Sequence, residues 1–397
     1  KVKFFSEIKK AQKLSFEIKK KVDNILKTGK YTNSDYVKKF EDKFRKYFKT
    51  KYCVAVNNGT SALHLALLAL GINKDDEVIV PSLTFIASVA AINYVGAKPV
   101  FADINKDDWL INTNIIEKFV TKKTKAIIVV HLHGLMCDMD KIKKIAKKYN
   151  LLILEDSADI LGGKFNNQPT GKYSDISITS FYGMHMINCA GNGGMITTSN
   201  KKFFEQSKLL RSWGRSSSLF KDSEKIENRF NVFLDNIRYD AKFIFNKVGY
   251  MLEPSELGSA FGLVQLKKLN KTLNIRKRAA KRHINFFKKH SKWFELPEMN
   301  SKCKSFWFAF PLIVKDEAPF SRTDLQIFLE KRNIQTRVIF SGNILRQPGF
   351  KNIKAKKDKK GYPEADKVMR NGILIACHHG LTKSMILHIH KSIDQFI

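Results

Sequence analysis

The 397 residues carry 71 Lys and Arg against 37 Asp and Glu, a formal net charge of +34, with 43% hydrophobic residues and a slightly negative mean hydropathy. A chain of this length buries a sizeable core, with one large domain plus a smaller one as the expectation. No apolar run approaches the roughly 20 residues that span a bilayer, and residues 1–51 alternate charged and apolar side chains rather than forming a signal peptide, so a cytoplasmic protein with no membrane partner is expected. The cationic excess is mostly lysine scattered over amphipathic stretches such as 140–148 and 267–289, which reads as a solvated surface and not as a nucleic-acid footprint. The five cysteines are far apart with no CxxC pair, and so offer no metal-ligand spacing.

Taken in chain order, short β-rich runs at 52–56, 77–80, 126–130, 151–154, 175–181 and 194–198 alternate with helical segments. These six runs predict a mainly parallel α/β sheet covered by helices on both faces. In such sheets ligands bind at the carboxyl ends of the strands. A helical stretch at 256–282 leads into a tail, 306–397, that mixes strands and helices. The expected organisation is an N-terminal arm and large ligand-binding domain over 1–265, then a linking helix and a small C-terminal domain over 266–397. The densest cationic run, 351–360, is non-periodic and reads as a solvated loop.

The strand at 52–56 runs into Asn57-Asn58-Gly59-Thr60-Ser61 and a helix over 62–70. Gly59 is expected to make a tight turn. Thr60 and Ser61 then stand at a helix N-terminus, where free N–H groups, two hydroxyls and the helix dipole suit a phosphate. They are equally ordinary helix caps. The strand at 151–154 ends in Glu155-Asp156-Ser157, placing carboxylates where the sheet opens. Asp156 suits a protonated pyridine nitrogen there, with a loop cap as the alternative. A third strand delivers Ser180-Phe181-Tyr182-Gly183-Met184-His185 to the same edge, followed by Gly191-Asn192-Gly193-Gly194. A lone histidine after a strand is often structural. Three such segments converging on one sheet edge, however, supply a phosphate cradle, a ring-nitrogen partner and a titratable base, the set a pyridoxal site requires.

In the order Asn57 to Ala62, Pro81-Ser82-Leu83-Thr84-Phe85, Glu155-Asp156-Ser157-Ala158-Asp159, Ser180-Phe181 through Gly194, and residues 256–266, the chain resembles the sugar aminotransferases of the DegT/DnrJ/EryC1/StrS family from Gly29 to its end. The resemblance implies a PLP-dependent transferase of fold type I, with a mainly parallel seven-stranded sheet in the large domain and a smaller C-terminal α/β domain. It implies pyridoxal or pyridoxamine 5′-phosphate as cofactor, a homodimer with active sites at the subunit interface, and keto nucleotide-sugars as substrates. By the same resemblance Gly59, Thr60, Ser61 and Ser180 hold the phosphate, Asp156 meets the pyridine nitrogen, Asp159 belongs to the cofactor site, and Phe85 stacks on the ring. An apolar setting makes Phe85 a core candidate as well. For the sugar nucleotide, Arg215 in the cluster 211–215, Arg337 and Arg346 in the segment 337–347, and the pair His378-His379 are candidates. Arginine suits bidentate phosphate contacts, although surface ion pairing or loop packing accounts for each residue equally well.

The departure is His185. Where the family's aminotransferases carry Ser-Phe, three residues and then Lys, this chain has histidine. Only a primary amine can hold pyridoxal covalently, whereas imidazole is a good proton carrier near neutral pH. The same replacement resembles the 3-dehydratases of deoxysugar biosynthesis. That implies expulsion of the C3 hydroxyl from a nucleotide-linked 4-keto-6-deoxyhexose in lipopolysaccharide biosynthesis, with glutamate as the amino donor that regenerates the cofactor. The alternatives are an aminotransferase that uses another lysine and a non-catalytic pyridoxal-binding regulator. No lysine lies between Lys172 and Lys201, and no cysteine between Cys189 and Cys303, the latter speaking against an iron–sulfur variant of the chemistry. The glycine-rich segment sits one residue further from His185 than the family spacing, which leaves the register of His185 open. Residues 243–250 resemble the family's segment that reaches a neighbouring subunit's site, with Met251 where many relatives carry asparagine.

Overall fold

The computed structural model describes residues 1–4 and 16–397. Helices α1 (Phe16–Thr28) and α2 (Asp35–Phe48) precede the main sheet. In α2, Val37, Phe40, Phe44 and Phe48 recur at helical spacing and are buried, while Lys38, Lys39, Lys43 and Lys46 face solvent; this is the pattern of an amphipathic helix. The stripe packs on Phe181, whose ring lies 5.2 Å from Phe40 and 5.7 Å from Phe44. The N–H groups of Ser34, Tyr36 and Val37 at the start of α2 donate to the carboxylate of Glu256 at 2.8, 2.8 and 2.9 Å. Those bonds satisfy a glutamate that is otherwise fully buried.

Seven strands form the main sheet: β1 (Tyr52–Val56), β2 (Glu77–Pro81), β3 (Lys98–Ala102), β4 (Thr124–Val130), β5 (Leu152–Asp156), β6 (Ile176–Ser180) and β7 (Gly194–Thr198). Their order is β1-β7-β6-β5-β4-β2-β3. The five strands β2 to β6 pair in parallel, and β7 runs antiparallel to both β6 and β1. Helices α3 (Gly59–Ala69), α4 (Ile86–Tyr94), α5 (Met139–Tyr149) and α6 (Lys201–Arg211) pack around it, α4 and α5 serving as the crossovers that parallel neighbours need. The sequence pattern shows six of the seven strands and omits β3. That strand carries Pro99, which a sheet tolerates at an edge. Its outer side is covered by the backbone of Lys356, which exchanges hydrogen bonds with Phe101 at 3.1 Å and Pro99 at 2.9 Å.

Helices α7 (Glu256–Lys267) and α8 (Leu269–Phe287) lead to a smaller sheet of β8 (Phe294–Glu295), β9 (Phe310–Val314), β10 (Arg337–Val338) and β11 (Gly372–Ile375). It is antiparallel, in the order β8-β9-β11-β10, and α9 (Arg322–Lys331), α10 (Pro363–Asn371) and α11 (Lys383–Asp394) accompany it. Arg276, buried in α8, donates to the carbonyls of Trp307, Phe308 and Cys377 at 3.2, 2.9 and 3.3 Å. Burial pulls its guanidinium down to about 10. These bonds tie α8 to the segment entering β9, where the Phe308 N–H donates to the His133 carbonyl at 3.0 Å. Among the described residues no helix is long and apolar enough to cross a membrane.

Candidate active site

The carboxyl ends of β4, β5 and β6 and the N-terminus of α3 open on one cavity of about 1070 Å³. At one end Asn58 caps α3. Its side chain accepts the Ser61 N–H at 2.8 Å and its carbonyl accepts the Ala62 N–H at 3.1 Å, so the Gly59 and Thr60 N–H groups remain open at the positive end of the helix dipole. A Cβ on Gly59 would lie 2.7 Å from the Cβ of Ser180. The glycine is therefore required by the close approach of α3 to the end of β6, and not by the tight turn expected from the sequence, since its backbone lies outside the left-handed region. Thr60, Ser61 and Ser180 also line the cavity.

Asp156 ends β5 and is buried. Ser88 Oγ donates to its Oδ2 at 2.7 Å, and the Ala158 N–H to its Oδ1 at 3.2 Å. Burial raises its pKa above the ordinary carboxylate value, with Ser88 and Ala158 opposing the shift. A cationic N–H donor in the cavity would offset that desolvation.

His185 lies in the turn after β6, partly buried, with its ring centroid 5.2 Å from that of Phe308. Nδ1 is 3.0 Å from the Ala158 carbonyl oxygen. A carbonyl only accepts, so Nδ1 carries the proton and Nε2 keeps the basic lone pair. Burial lowers the pKa of the imidazole, and the charge of Asp159 acts in the opposite direction. Beyond His185, Ala190 and Gly191 take φ of +57° and +120° in the turn that leads to β7. The β6–β7 ladder is unbroken from Ile176 opposite Thr198 to Ser180 opposite Gly194, and His185 stands on the cavity wall.

Phe85 is 50% exposed and stands on the cavity wall rather than in the core, edge-to-face with Phe340 at 6.0 Å. Asp159 and Arg337 also line the cavity, and Arg337 is the one Lys or Arg among the described lining residues. Its guanidinium lies 5.4 Å from the ring of Phe4. Two other arginines expected here are elsewhere. Arg215 is outside the lining, held 5.2 Å from the Trp213 ring and 5.8 Å from that of Phe245, and Arg346 makes a two-point pair with Asp366. Asp366 satisfies the Arg346 guanidinium, whereas Arg215 lies between two aromatic rings with its buried Nε lacking a hydrogen-bond partner. His378 and His379 are also absent from the lining, pulled down to about 4 and about 3 by burial and by Arg276.

Ser88, His131 and His133 are not among the site residues expected from the sequence. His131 Nδ1 accepts the Cys137 N–H at 3.3 Å, so its Nε2–H faces Glu155 at 3.4 Å. His131-Leu132-His133 follows β4 directly, and that position at the strand's carboxyl end is a signal the sequence does carry. Phe308 and Phe340 come from the C-terminal part of the chain, with no local pattern to mark them.

A family model described as the DegT/DnrJ/EryC1/StrS aminotransferase family matches residues 12–394. The chain belongs to this family. Among its relatives, GDP-perosamine synthase of Escherichia coli O157:H7 is 32% identical over 369 residues, covering 92% of this chain and 91% of that protein. The dTDP-4-dehydro-2,6-dideoxy-D-glucose 3-dehydratase of Saccharopolyspora spinosa is 30% identical over 377 residues, covering 91% and 80%. Among solved structures, E. coli GDP-4-keto-6-deoxy-D-mannose-3-dehydratase with bound hydrated PLP superposes with a TM-score of 0.88 at 26% identity, covering 99% of each chain. The architecture is that of the fold type I PLP-dependent enzymes. The family thus contains both an amine-forming and a dehydrating branch.

Proposed function

We propose that this protein is a 3-dehydratase that removes the C3 hydroxyl of a nucleotide-linked 4-keto-6-deoxyhexose in deoxysugar biosynthesis. It is an enzyme of the PLP-dependent aminotransferase superfamily, and its cofactor is pyridoxal 5′-phosphate or the corresponding amine. One observation carries the dehydratase reading: the cavity presents His185 with a basic Nε2, and no lysine lines it among the described residues.

The residues fit the cofactor. The N–H groups of Gly59 and Thr60 and the hydroxyls of Thr60, Ser61 and Ser180 form a cradle of donors for its phosphate. Asp156, desolvated and held by Ser88, suits its ring nitrogen, and Phe85 its face. When bound, the cofactor would supply a conjugated cationic ring that stabilises the electron pair left by loss of a proton beside it. His185 Nε2 would take the proton lost from carbon and pass it to the C3 hydroxyl oxygen, which leaves as water when the C3–O bond breaks, while the Ala158 carbonyl holds the ring in one tautomer. Arg337 meets an anionic group of the sugar nucleotide or of glutamate.

We also read the chain as a homodimer. Phe233, Ile237, Phe243, Phe245 and Val248, all at least half exposed, form an apolar surface suited to a second copy, and sedimentation at micromolar concentration tests it. For the reaction, incubation with glutamate and GDP-, CDP- and dTDP-4-keto-6-deoxyhexoses should release ammonia and a 3-deoxy sugar by mass spectrometry. The His185→Asn variant should be slower by about 10²–10⁴-fold. An amino sugar as the product would establish the second reading, amino transfer, which the likeness to GDP-perosamine synthase favours.

A further inference from the structure

We infer that Asp159 is the counter-ion that allows His185 to hold a proton, and that His133 positions this carboxylate. The inference rests on the proton-carrying role given to His185 above. With Nδ1 committed to the Ala158 carbonyl, any proton taken up at Nε2 makes an imidazolium. Such a cation in a partly desolvated site needs an opposing charge.

Four carboxylates lie at or beside the cavity, each with partners of its own. Asp156 takes Ser88 Oγ and the Ala158 N–H. Glu155 takes His131 and the Gly171 N–H, the latter at 3.0 Å. Glu253 takes Ser212 Oγ at 2.6 Å and Asn33 Nδ2 at 3.2 Å. Asp159 accepts the His133 N–H at 3.3 Å on Oδ2, the oxygen that the His133 ring also approaches, and it lines the cavity one residue beyond the carbonyl that holds His185. Its charge favours the protonated imidazole, whereas Arg276, behind Phe308, opposes it. Arg337 is the remaining cation of the cavity wall and Tyr182 the nearest phenol, its ring 6.5 Å from that of His185.

His133 is held in a costly arrangement that serves this geometry. Its backbone is left-handed, with φ of +52°. The next residue, Gly134, has φ of +103° and leaves no space for a Cβ, which would fall 2.6 Å from the Cα of Trp307. The His133 ring is buried with both nitrogens lacking a hydrogen-bond partner, Nδ1 being 3.3 Å from Asp159 Oδ2 but out of line. It packs edge-on against Phe340 at 4.4 Å. Strained backbone and desolvated polar groups of this kind persist where the surroundings over-determine them, and they concentrate at working sites.

The test is an NMR titration of the His185 ring in cofactor-free wild type, Asp159→Asn and Asp159→Glu, with thermal melts to verify that each variant is folded. Removing the charge should lower the His185 midpoint by about 1 pH unit, the scale expected of a nearby opposite charge, and Asp159→Glu should retain most of the wild-type value. A midpoint unchanged in Asp159→Asn would overturn the inference, as would a shift equally large in Asp159→Glu, which would point to packing in place of charge. The titration reads the imidazole without turnover. A wild type that yields no 3-deoxy sugar would therefore count against the dehydratase reading alone, and an unmoved titration against the counter-ion alone.

Discussion

His185 Nδ1 lies 3.0 Å from the carbonyl oxygen of Ala158, and Ala158 in turn donates its own N–H to Asp156 at 3.2 Å. The candidate base and the candidate ring-nitrogen partner thus hang on one short turn after β5. Any shift of that turn moves both, while the carbonyl keeps the imidazole in the tautomer whose Nε2 is basic.

Replacing this histidine by lysine should change how the cofactor is held. Wild type treated with borohydride in the presence of pyridoxal phosphate should yield no phosphopyridoxyl-lysine peptide. The His185→Lys variant should yield one at position 185, with loss of dehydration, because an amine can attach pyridoxal covalently and an imidazole cannot. A labelled lysine in the wild-type digest would point to amino transfer.

Asp156→Asn should leave the melting temperature near that of wild type and abolish most turnover, because a neutral amide cannot stabilise a protonated ring nitrogen. Ser88→Ala removes one hydrogen bond to this carboxylate. It should therefore cost less, about tenfold in rate, the low end of the roughly 1.5–3 kcal/mol that a bond to a charged group contributes. Unchanged turnover in Asp156→Asn would show that another group meets the ring nitrogen.

Gly59→Ala places a methyl group 2.7 Å from the Cβ of Ser180. The overpacking should lower stability by about 1–3 kcal/mol and weaken cofactor retention, since α3 or β6 must move and both border the phosphate end of the cavity. Denaturant unfolding and equilibrium dialysis of pyridoxal phosphate measure the two effects. A variant with wild-type values in both would mean that the contact is loose in solution.

Stability should fall on acidification through His283. This residue donates from Nε2 to the Ala376 carbonyl at 3.1 Å and accepts at Nδ1 from His390 at 3.0 Å, and burial pulls it down to about 3. The unfolded imidazole protonates near 6.5, so the unfolded state binds the proton first. The contribution is complete above about pH 6.5 and declines as pH drops toward 3, by up to about 1.4 kcal/mol per pH unit for this one group. Urea midpoints between pH 7 and 4 should therefore fall less steeply in His283→Gln. Parallel profiles for variant and wild type would rule the residue out as a source of acid sensitivity.

Much of the site is written locally. Asn57–Ser61 reads as a strand running into a capped helix, Glu155–Asp159 as a strand end, and Ser180–His185 as a strand delivering a base, because strand alternation, helix caps and chain order depend on near neighbours in sequence. That His185 is not an amine is a chemical fact independent of the fold. Other features depended on residues distant in the chain. Gly59 is glycine because Ser180 comes within contact of it. Arg215 and Arg346 stand outside the cavity, Arg215 beside Trp213 and Phe245 and Arg346 paired with Asp366. Strand β3 forms despite Pro99 because it is an edge covered by Lys356. The tautomer of His185 and the opposing charge beside it follow from Ala158 and Asp159. Burial, counter-charge and close approach arise only when distant segments meet, and no local periodicity encodes them.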